Sequence, residues 1–278
     1  MTSAPVATLE RSIAHPSTDP PSLIARVLGD LAWQGSAFRV GLAGYDELMA
    51  TLKVATDLEG IARIGDPTSP PIRLLRALAN AHPDLQLVQV TSVANPWRWT
   101  RLGGGSGDAQ AVALRQQTYS DVVEVLGTAG VDFRVLPNSA TTAEVYAAGR
   151  EAGSAVVDVD ELDPAGVLIV GYLEDLGDVT YGLLSRRHVS AGEPSGERVT
   201  WLAMAAEHEA AGTLMTALER FSALGLDLDF LHSDRLEPGR HDFYLGFRAE
   251  AARVDDLRGA LTGVGFSSRV LASFTLDG

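Results

Sequence analysis

RVTWLAMAA at residues 198–206, GTLMTALERFSAL at 212–224, LDLDFLH at 226–232, DFYLGFR at 242–248, VDDLRGALTG at 254–263 and SSRVLASF at 267–274 divide the C-terminal part of the chain into six segments. Their order is strand, helix, strand, strand, helix, strand. That is βαββαβ, the sequence of elements of a ferredoxin-like plait. EPGR at residues 237–240, with Pro238 before Gly239, supplies the hairpin turn between the two middle strands. Upstream, residues 188–197 hold Gly192, Pro194, Ser195 and Gly196, a composition suited to a linker, so a C-terminal module is expected over residues 197–278 and a larger region over 1–190.

The larger region alternates in another way. Ser22 can cap a helix over residues 22–31, in which Leu23, Val27, Leu28 and Leu31 recur at helical spacing. A strand at 38–42, a helix at 46–58 and a strand at 61–64 follow. The loop GDPTSPP at 65–71 cannot continue as helix through its prolines. Beyond it the pattern predicts helix 72–81, strand 85–93, a GGGSG connector at 103–107, helix 109–127, strand 131–136, helix 142–151 and strand 155–159. Such alternation predicts an α/β region with a largely parallel sheet.

Composition narrows the function classes. A formal net charge of −14 argues against a nucleic-acid partner, because phosphate binding needs clustered Lys and Arg. An acidic chain can still receive a small anion where a few arginines converge. With no cysteine, disulfides, thiolate catalysis and Cys-ligated metals are excluded. The six histidines, His15, His82, His188, His208, His232 and His241, show no paired ligand spacing. GGGSG lacks the Gly-Lys-Ser/Thr of a phosphate loop. The acidic run Asp158, Asp160, Glu161 and Asp163 reads as a solvated loop. Apolar runs are too short to span a bilayer, and MTSAPVATLERS has no basic-then-apolar opening, so no membrane association and a cytoplasmic location are expected.

The C-terminal module resembles the ACT domain of prephenate dehydratases. Ala211-Gly212-Thr213-Leu214 stands where that family has a Gly-Ala-Leu helix start, and Leu231-His232-Ser233-Asp234 where it has Ile-Glu-Ser-Arg-Pro. Asp242-Phe243-Tyr244-Leu245-Gly246-Phe247 matches the Tyr-x-Phe-Phe-Val-Asp strand, and Val270-Leu271-Ala272-Ser273-Phe274 the Val-Leu-Gly-Ser-Tyr finish. The upstream region resembles the same family's catalytic region. His15-Pro16-Ser17-Thr18 aligns with Gly-Pro-x-Gly-Thr, Pro67-Thr68-Ser69 with Glu-Asn-Ser, and Thr141-Thr142-Ala143 with Ser-Thr-Ala. Leu173-Glu174-Asp175 aligns with Ile-Glu-Asp, and Thr180-Tyr181-Gly182 with Thr-Arg-Phe. The resemblance implies a two-lobed, periplasmic-binding-protein-like α/β region followed by the ACT plait. Lobe I would be formed by residues 8–70 and 160–190 and lobe II by 71–159, with a cleft between them.

It also implies chemistry. Prephenate loses its ring hydroxyl and ring carboxylate together to give an arylpyruvate, which asks for a proton donor and for donors to two carboxylates. By resemblance Thr180 is the acid, Ser69 its assistant, and Thr18, Thr68, Thr142 and Tyr181 bind substrate, with no metal or organic cofactor. Tyr181 replaces a fixed positive charge, and Gly182 in place of Phe is expected to loosen the wall; Arg98 and Arg101 could restore the charge. An aromatic amino acid would lie across Ala211, Gly212, Thr213 and Leu214 with its amine near Leu231, His232 and Ser233. A glycine helix start gives close backbone approach and free N–H groups to a carboxylate. Three outcomes stay open: dehydratase, decarboxylase without dehydration, and a non-catalytic sensor of aromatic amino acids. A homodimer or homotetramer is expected through Leu214, Leu218, Leu257 and Leu261.

Overall fold

The computed structural model of the protein describes residues 12–15, 19–33, 36–39, 45–102, 111–163, 167–169, 173, 176–187, 197–237 and 240–276. In chain order its elements begin with β1 (Ser12–His15), α1 (Pro21–Asp30), β2 (Ser36–Arg39), α2 (Tyr45–Val54), β3 (Leu58–Arg63), α3 (Ile72–Ala79) and β4 (Gln86–Val93). Next come β5 (Trp97–Arg101), β6 (Ala111–Arg115), α4 (Gln116–Thr128), β7 (Asp132–Leu136), α5 (Thr142–Ala152) and β8 (Ser154–Asp158). A 3-10 turn at Val159–Glu161 leads to β9 (Val167–Leu168) and β10 (Val179–Ser185). The C-terminal elements are β11 (Arg198–Ala206), α6 (Thr213–Ala223), β12 (Leu228–Glu237), β13 (Arg240–Ala249), α7 (Ala251–Thr262) and β14 (Phe266–Phe274). The GGGSG connector, the linker at 188–196 and Pro238-Gly239 lie outside the described residues.

The expected helix at 109–127 begins later than its sequence suggests. Ala111–Arg115 is a strand, and only Gln116–Thr128 is helical. AVALR is made of good helix formers, but it pairs in parallel with β7 and β8 and buries Val112, Ala113 and Leu114 completely. Tertiary pairing overrides a weak local preference there.

The chain divides into two compact units. The first holds the described residues of Met1–Ser17, Leu28–Thr91 and Thr180–Gly278, and the second those of Thr18–Val27 and Ser92–Val179. The chain therefore crosses at 17/18, 27/28, 91/92 and 179/180, not near Ser69 and Val159 as the resemblance implied. The reason lies in α3 and β4. Leu74, Leu75 and Leu78 of α3, with Leu85 and Leu87, belong to the same buried core as Leu48, Leu52 and Ile64.

In the first unit one sheet has the order β12-β13-β11-β14-β4-β10-β3-β1-β2. β1 is parallel to β2 and β3, and β10 is antiparallel to β3. Its C-terminal part, β12-β13-β11-β14, has the strand order of a ferredoxin-like plait, as the sequence predicts. The plait is not a separate body, however. β14 pairs in parallel with β4 through Ala272 and Leu87, so the expected boundary at 197 does not mark an independent module.

Both faces of the plait are covered from within the chain. On one, Met204, Phe243, Leu245 and Phe247 pack with Ala217, Phe221, Leu257 and Leu261 of the helices. Leu214 and Leu218 pack against that same cluster. The four leucines expected to meet a twin therefore serve the plait's own core. On the other face, Trp201, Phe230, Tyr244 and Phe274 join Leu74, Leu75 and Leu78 of α3. Each such side chain contributes about 1.5–3 kcal/mol when fully buried. Arg76 of α3 also grips Asp234 of β12 through two bonds of 2.6 and 2.8 Å.

The second unit carries a sheet of order β7-β6-β8-β5-β9, parallel through β7-β6-β8, with β5 antiparallel to both of its neighbours, β8 and β9. All five residues of β8 are buried, as for a central strand covered on both sides.

Candidate active site

In a parallel α/β sheet, ligand-binding groups collect where strands end and helices begin. Both units gather polar residues at that edge.

In the first unit β1 and β3 end at His15 and Arg63, and antiparallel β10 starts beside them. Ile64 N donates to Thr180 O at 3.0 Å. Thr180 thus stands, half-buried, at the root of the loop that carries Thr68 and Ser69. Loop geometry is set internally: Asp66 Oδ1 accepts from both the N–H and the hydroxyl of Thr68 at 2.8 Å, and Ser69 N donates to Asp66 O at 2.9 Å. Those two Thr68 bonds hold the Asp66 carboxyl below its ordinary pKa. Trp201 Nε1 donates to Pro67 O at 3.0 Å and ties the loop to the plait. Ser69 is exposed.

Tyr181 departs from its expected role. It is completely buried, so its ring is no contact surface for a substrate. Its hydroxyl accepts from Arg63 Nε at 3.0 Å, and the Arg63 guanidinium lies 5.7 Å from the ring centroid. A cation thus stands across the strand pair from the position where the resemblance misses one. Gly182 does not loosen a wall either. A Cβ there would lie 2.3 Å from Leu87 Cδ1 and 3.0 Å from Ile64 Cγ2, so leucine fills that space.

In the second unit the edge is formed by the ends of β6 and β8 and the start of α5. Thr141 caps α5 in a capping box with Glu144, with bonds of 2.7 and 3.3 Å. Arg115, the last residue of β6, donates from Nε to Ala140 O at 2.8 Å. Its two Nη groups reach Glu161 at 2.8 and 3.1 Å, and Nη2 also reaches Thr142 Oγ1 at 3.2 Å. Thr142 donates its own hydroxyl to Glu161 Oε1 at 2.7 Å. Burial alone would raise the Glu161 pKa, but the bonds from Arg115 and Thr142 and the Arg115 charge outweigh it, and the carboxyl lies below its ordinary value. Tyr146 fixes the turn, donating to Glu161 O at 2.9 Å and accepting from Asp163 N at 2.6 Å.

The acidic run is therefore no solvated loop. Asp158, 1% exposed, accepts from Ser22 at 2.9 Å and from Asp160 N at 2.8 Å. Burial pushes its pKa up, against those bonds and the nearby Arg26 charge. Arg26 Nε and Nη2 are buried and have no hydrogen-bond partner among the described residues. Arg98 is committed to the carbonyls of Asn95 and Trp97 at 3.1 and 2.8 Å.

Thr180, Ser69 and Thr68 thus belong to one sheet edge and Thr142 to the edge of the other unit, while Thr18, Glu174 and Asp175 lie outside the described residues. Among the described residues, no group of His, Asp and Glu is arranged to hold a metal ion, and no helix is long and apolar enough to cross a membrane.

Solved structures share this architecture over nearly the whole chain. A prephenate dehydratase from Staphylococcus aureus matches at a TM-score of 0.68 and 12% identity, covering 95% of this chain and 100% of that one.

The fold is that of prephenate dehydratases.

A prephenate dehydratase from Arthrobacter aurescens in complex with L-Phe matches at 0.69 and 16%, covering 95% of this chain and 90% of that one. GqqA, described as a novel type of quorum quenching acylase, matches at 0.67 and 17%, covering 96% and 98%. No protein-family model matches the sequence, and no curated protein matches it. The prephenate dehydratase fold thus persists here at identities too low to carry an activity.

In the plait, Gly212 caps α6 at φ +88, a conformation that favours glycine. Leu231 is 39% exposed, and His232 Nε2 is buried with no hydrogen-bond partner among the described residues. Asp234, beside the expected effector residues, is spent on Arg76. Sequence reasoning missed Arg26, Arg63 and Arg115, and read Glu161 only as part of a solvated run. Only the position of Arg115 at the end of an apolar run could have pointed to one of them.

Proposed function

We propose that the protein is a prephenate dehydratase-like lyase that converts prephenate, or a close analogue, to an arylpyruvate. The observation that carries this reading is the place of Thr180: half-buried at the start of β10, at the root of the Thr68–Ser69 loop, with Arg63 on the paired strand. In the reaction the Thr180 hydroxyl gives a proton to the leaving ring hydroxyl, which departs as water. The electron pair of the ring carboxylate bond passes into the ring as carbon dioxide leaves, and aromatisation drives both losses. Ser69 receives the leaving oxygen. Arg63 supplies the positive charge that Tyr181 does not.

The effector reading rests on the neighbour that holds L-Phe. An aromatic amino acid would set its carboxylate on the α6 start at Ala211, Gly212, Thr213 and Leu214 and its amine beside Leu231, His232 and Ser233. A homo-oligomer remains part of the proposal, but not through the leucines of α6 and α7. Incubating the purified protein with prephenate and separating the products by mass tests the activity. Phenylpyruvate supports it; a non-aromatic decarboxylated product, or no turnover, refutes it.

One observation favours a second reading, a sensor without turnover. Thr142, which the resemblance gives to a substrate carboxylate, is taken by Glu161 together with Arg115. Calorimetric titration with phenylalanine, tyrosine and tryptophan separates that reading from the first.

A further inference from the structure

Between the plait and the end of α3 lies a cavity of about 190 Å³. Its floor is the middle strand β11, where Ala203 and Ala205 expose only methyl groups. Asp242 of β13 and Ser267 of β14 flank Ala205 on either side, and Ala79 and Arg269 close one end. None of these residues takes part in the chemistry proposed above.

The cavity holds a carboxyl without a hydrogen-bond donor. The Asp242 side chain makes no hydrogen bond among the described residues. Its cross-strand neighbour Asp234 is fully engaged by Arg76 at 2.6 and 2.8 Å, so it adds repulsion and accepts nothing from Asp242. Burial pushes the Asp242 carboxyl above its ordinary pKa; the Arg240 charge pulls the other way, and Asp234 adds a smaller upward push. The cation on the wall, Arg269, is turned elsewhere. Its Nη1 donates to Ala79 O and Ala81 O at 2.9 and 3.1 Å, and its Nη2 to the carbonyls of His82 and Leu85. A partly desolvated carboxylate without a donor is costly unless a cation meets it. Drug-sized sites run to about 300–1,000 Å³, so this one suits a single ring on a short tail.

We propose that this cavity binds a compact primary amine, with its ammonium group paired to Asp242 and its apolar body over Ala203 and Ala205. The ammonium can belong to a simple arylalkylamine or to an amino acid. The site is distinct from the Gly212 turn and does not depend on the lyase reading.

The test is calorimetric titration of the full-length protein with phenethylamine, its uncharged analogue 2-phenylethanol, and phenylalanine. Phenethylamine should bind and 2-phenylethanol should not. Asp242→Asn, which keeps the shape, should weaken binding about ten- to a hundredfold, the loss expected for one charged hydrogen bond. Ala205→Leu fills the cavity and should abolish binding; if one variant fails to fold, the other still decides. Phenylalanine weakened in the same way marks an amino acid as the source of the ammonium, and phenylalanine unaffected by Asp242→Asn marks the simple amine. The proposal is overturned if phenethylamine does not bind, if the alcohol binds as well as the amine, or if neither folded variant changes the affinity.

Discussion

Replacing Glu161 with Gln would keep the side chain's shape and remove its charge. In the native chain that carboxylate takes two bonds from Arg115, at 2.8 and 3.1 Å, and one from Thr142 at 2.7 Å. Breaking a fully buried pair costs about 3–5 kcal/mol and an exposed one about 0–1. The side chains here are 16% and 30% exposed, so the pair falls between those limits. We expect a loss of about 1–3 kcal/mol, because Gln still accepts from Thr142 but leaves the guanidinium with a neutral partner. At about 2–4 °C per kcal/mol for a body of this size, the melting temperature should drop by about 2–12 °C. The sign with pH follows from the direction of the shift. Because the folded carboxyl lies below its ordinary value, its stabilisation is present above the unfolded pKa of about 4.3 and is lost as pH falls through the folded pKa. Melting curves by circular dichroism at neutral and acidic pH measure the gap between native and variant. Equal melting temperatures at neutral pH, or a gap that persists unchanged in acid, would refute the reasoning.

Gly182→Ala should cost about 1–3 kcal/mol by overpacking against Leu87, and adding Leu87→Ala should return part of it; a double-mutant cycle in urea detects the coupling. Thr180→Val should cut turnover of prephenate by roughly 10²–10⁴ and leave the melting temperature nearly unchanged, as steady-state kinetics beside a melting curve would show. Asp158→Asn should stabilise the fold at neutral pH: its folded pKa is raised, so its favourable contribution is present at low pH and lost as pH rises through that value. Urea midpoints that agree at neutral pH would count against that assignment.

The plait was readable because its helices alternate cleanly with strands and its hairpin turn carries Pro-Gly. β6 was not, because nothing local separates AVALR from the start of the helix that follows it. The site divides in the same way. Thr180 and Ser69 could be named from short motifs, but Arg63 meets Tyr181 across 118 residues and Arg115 meets Glu161 across 46. Pairings set by strand register leave no periodic trace in sequence, and an acidic turn looks solvated until its arginine is found. The lobe boundary was misplaced for a related reason. The prolines before α3 mark a loop, and nothing at that point says on which sheet the next strand will settle.

Arg269 closes on the carbonyl of Ala79, 190 residues earlier in the chain. During synthesis the part of α3 that faces the plait must therefore wait until the final strand has left the ribosome, although Leu48 and Leu52 of α2 can meet the helix at once. Contacts so distant in sequence fold slowly and leave the early segment open to aggregation in the meantime. A stop codon anywhere before Phe266 would remove Leu271, Ala272 and Phe274 from the core that α3 shares and leave β4 without its β14 neighbour, so its cost would fall on the unit that carries Thr180 as well as on any amino-acid response.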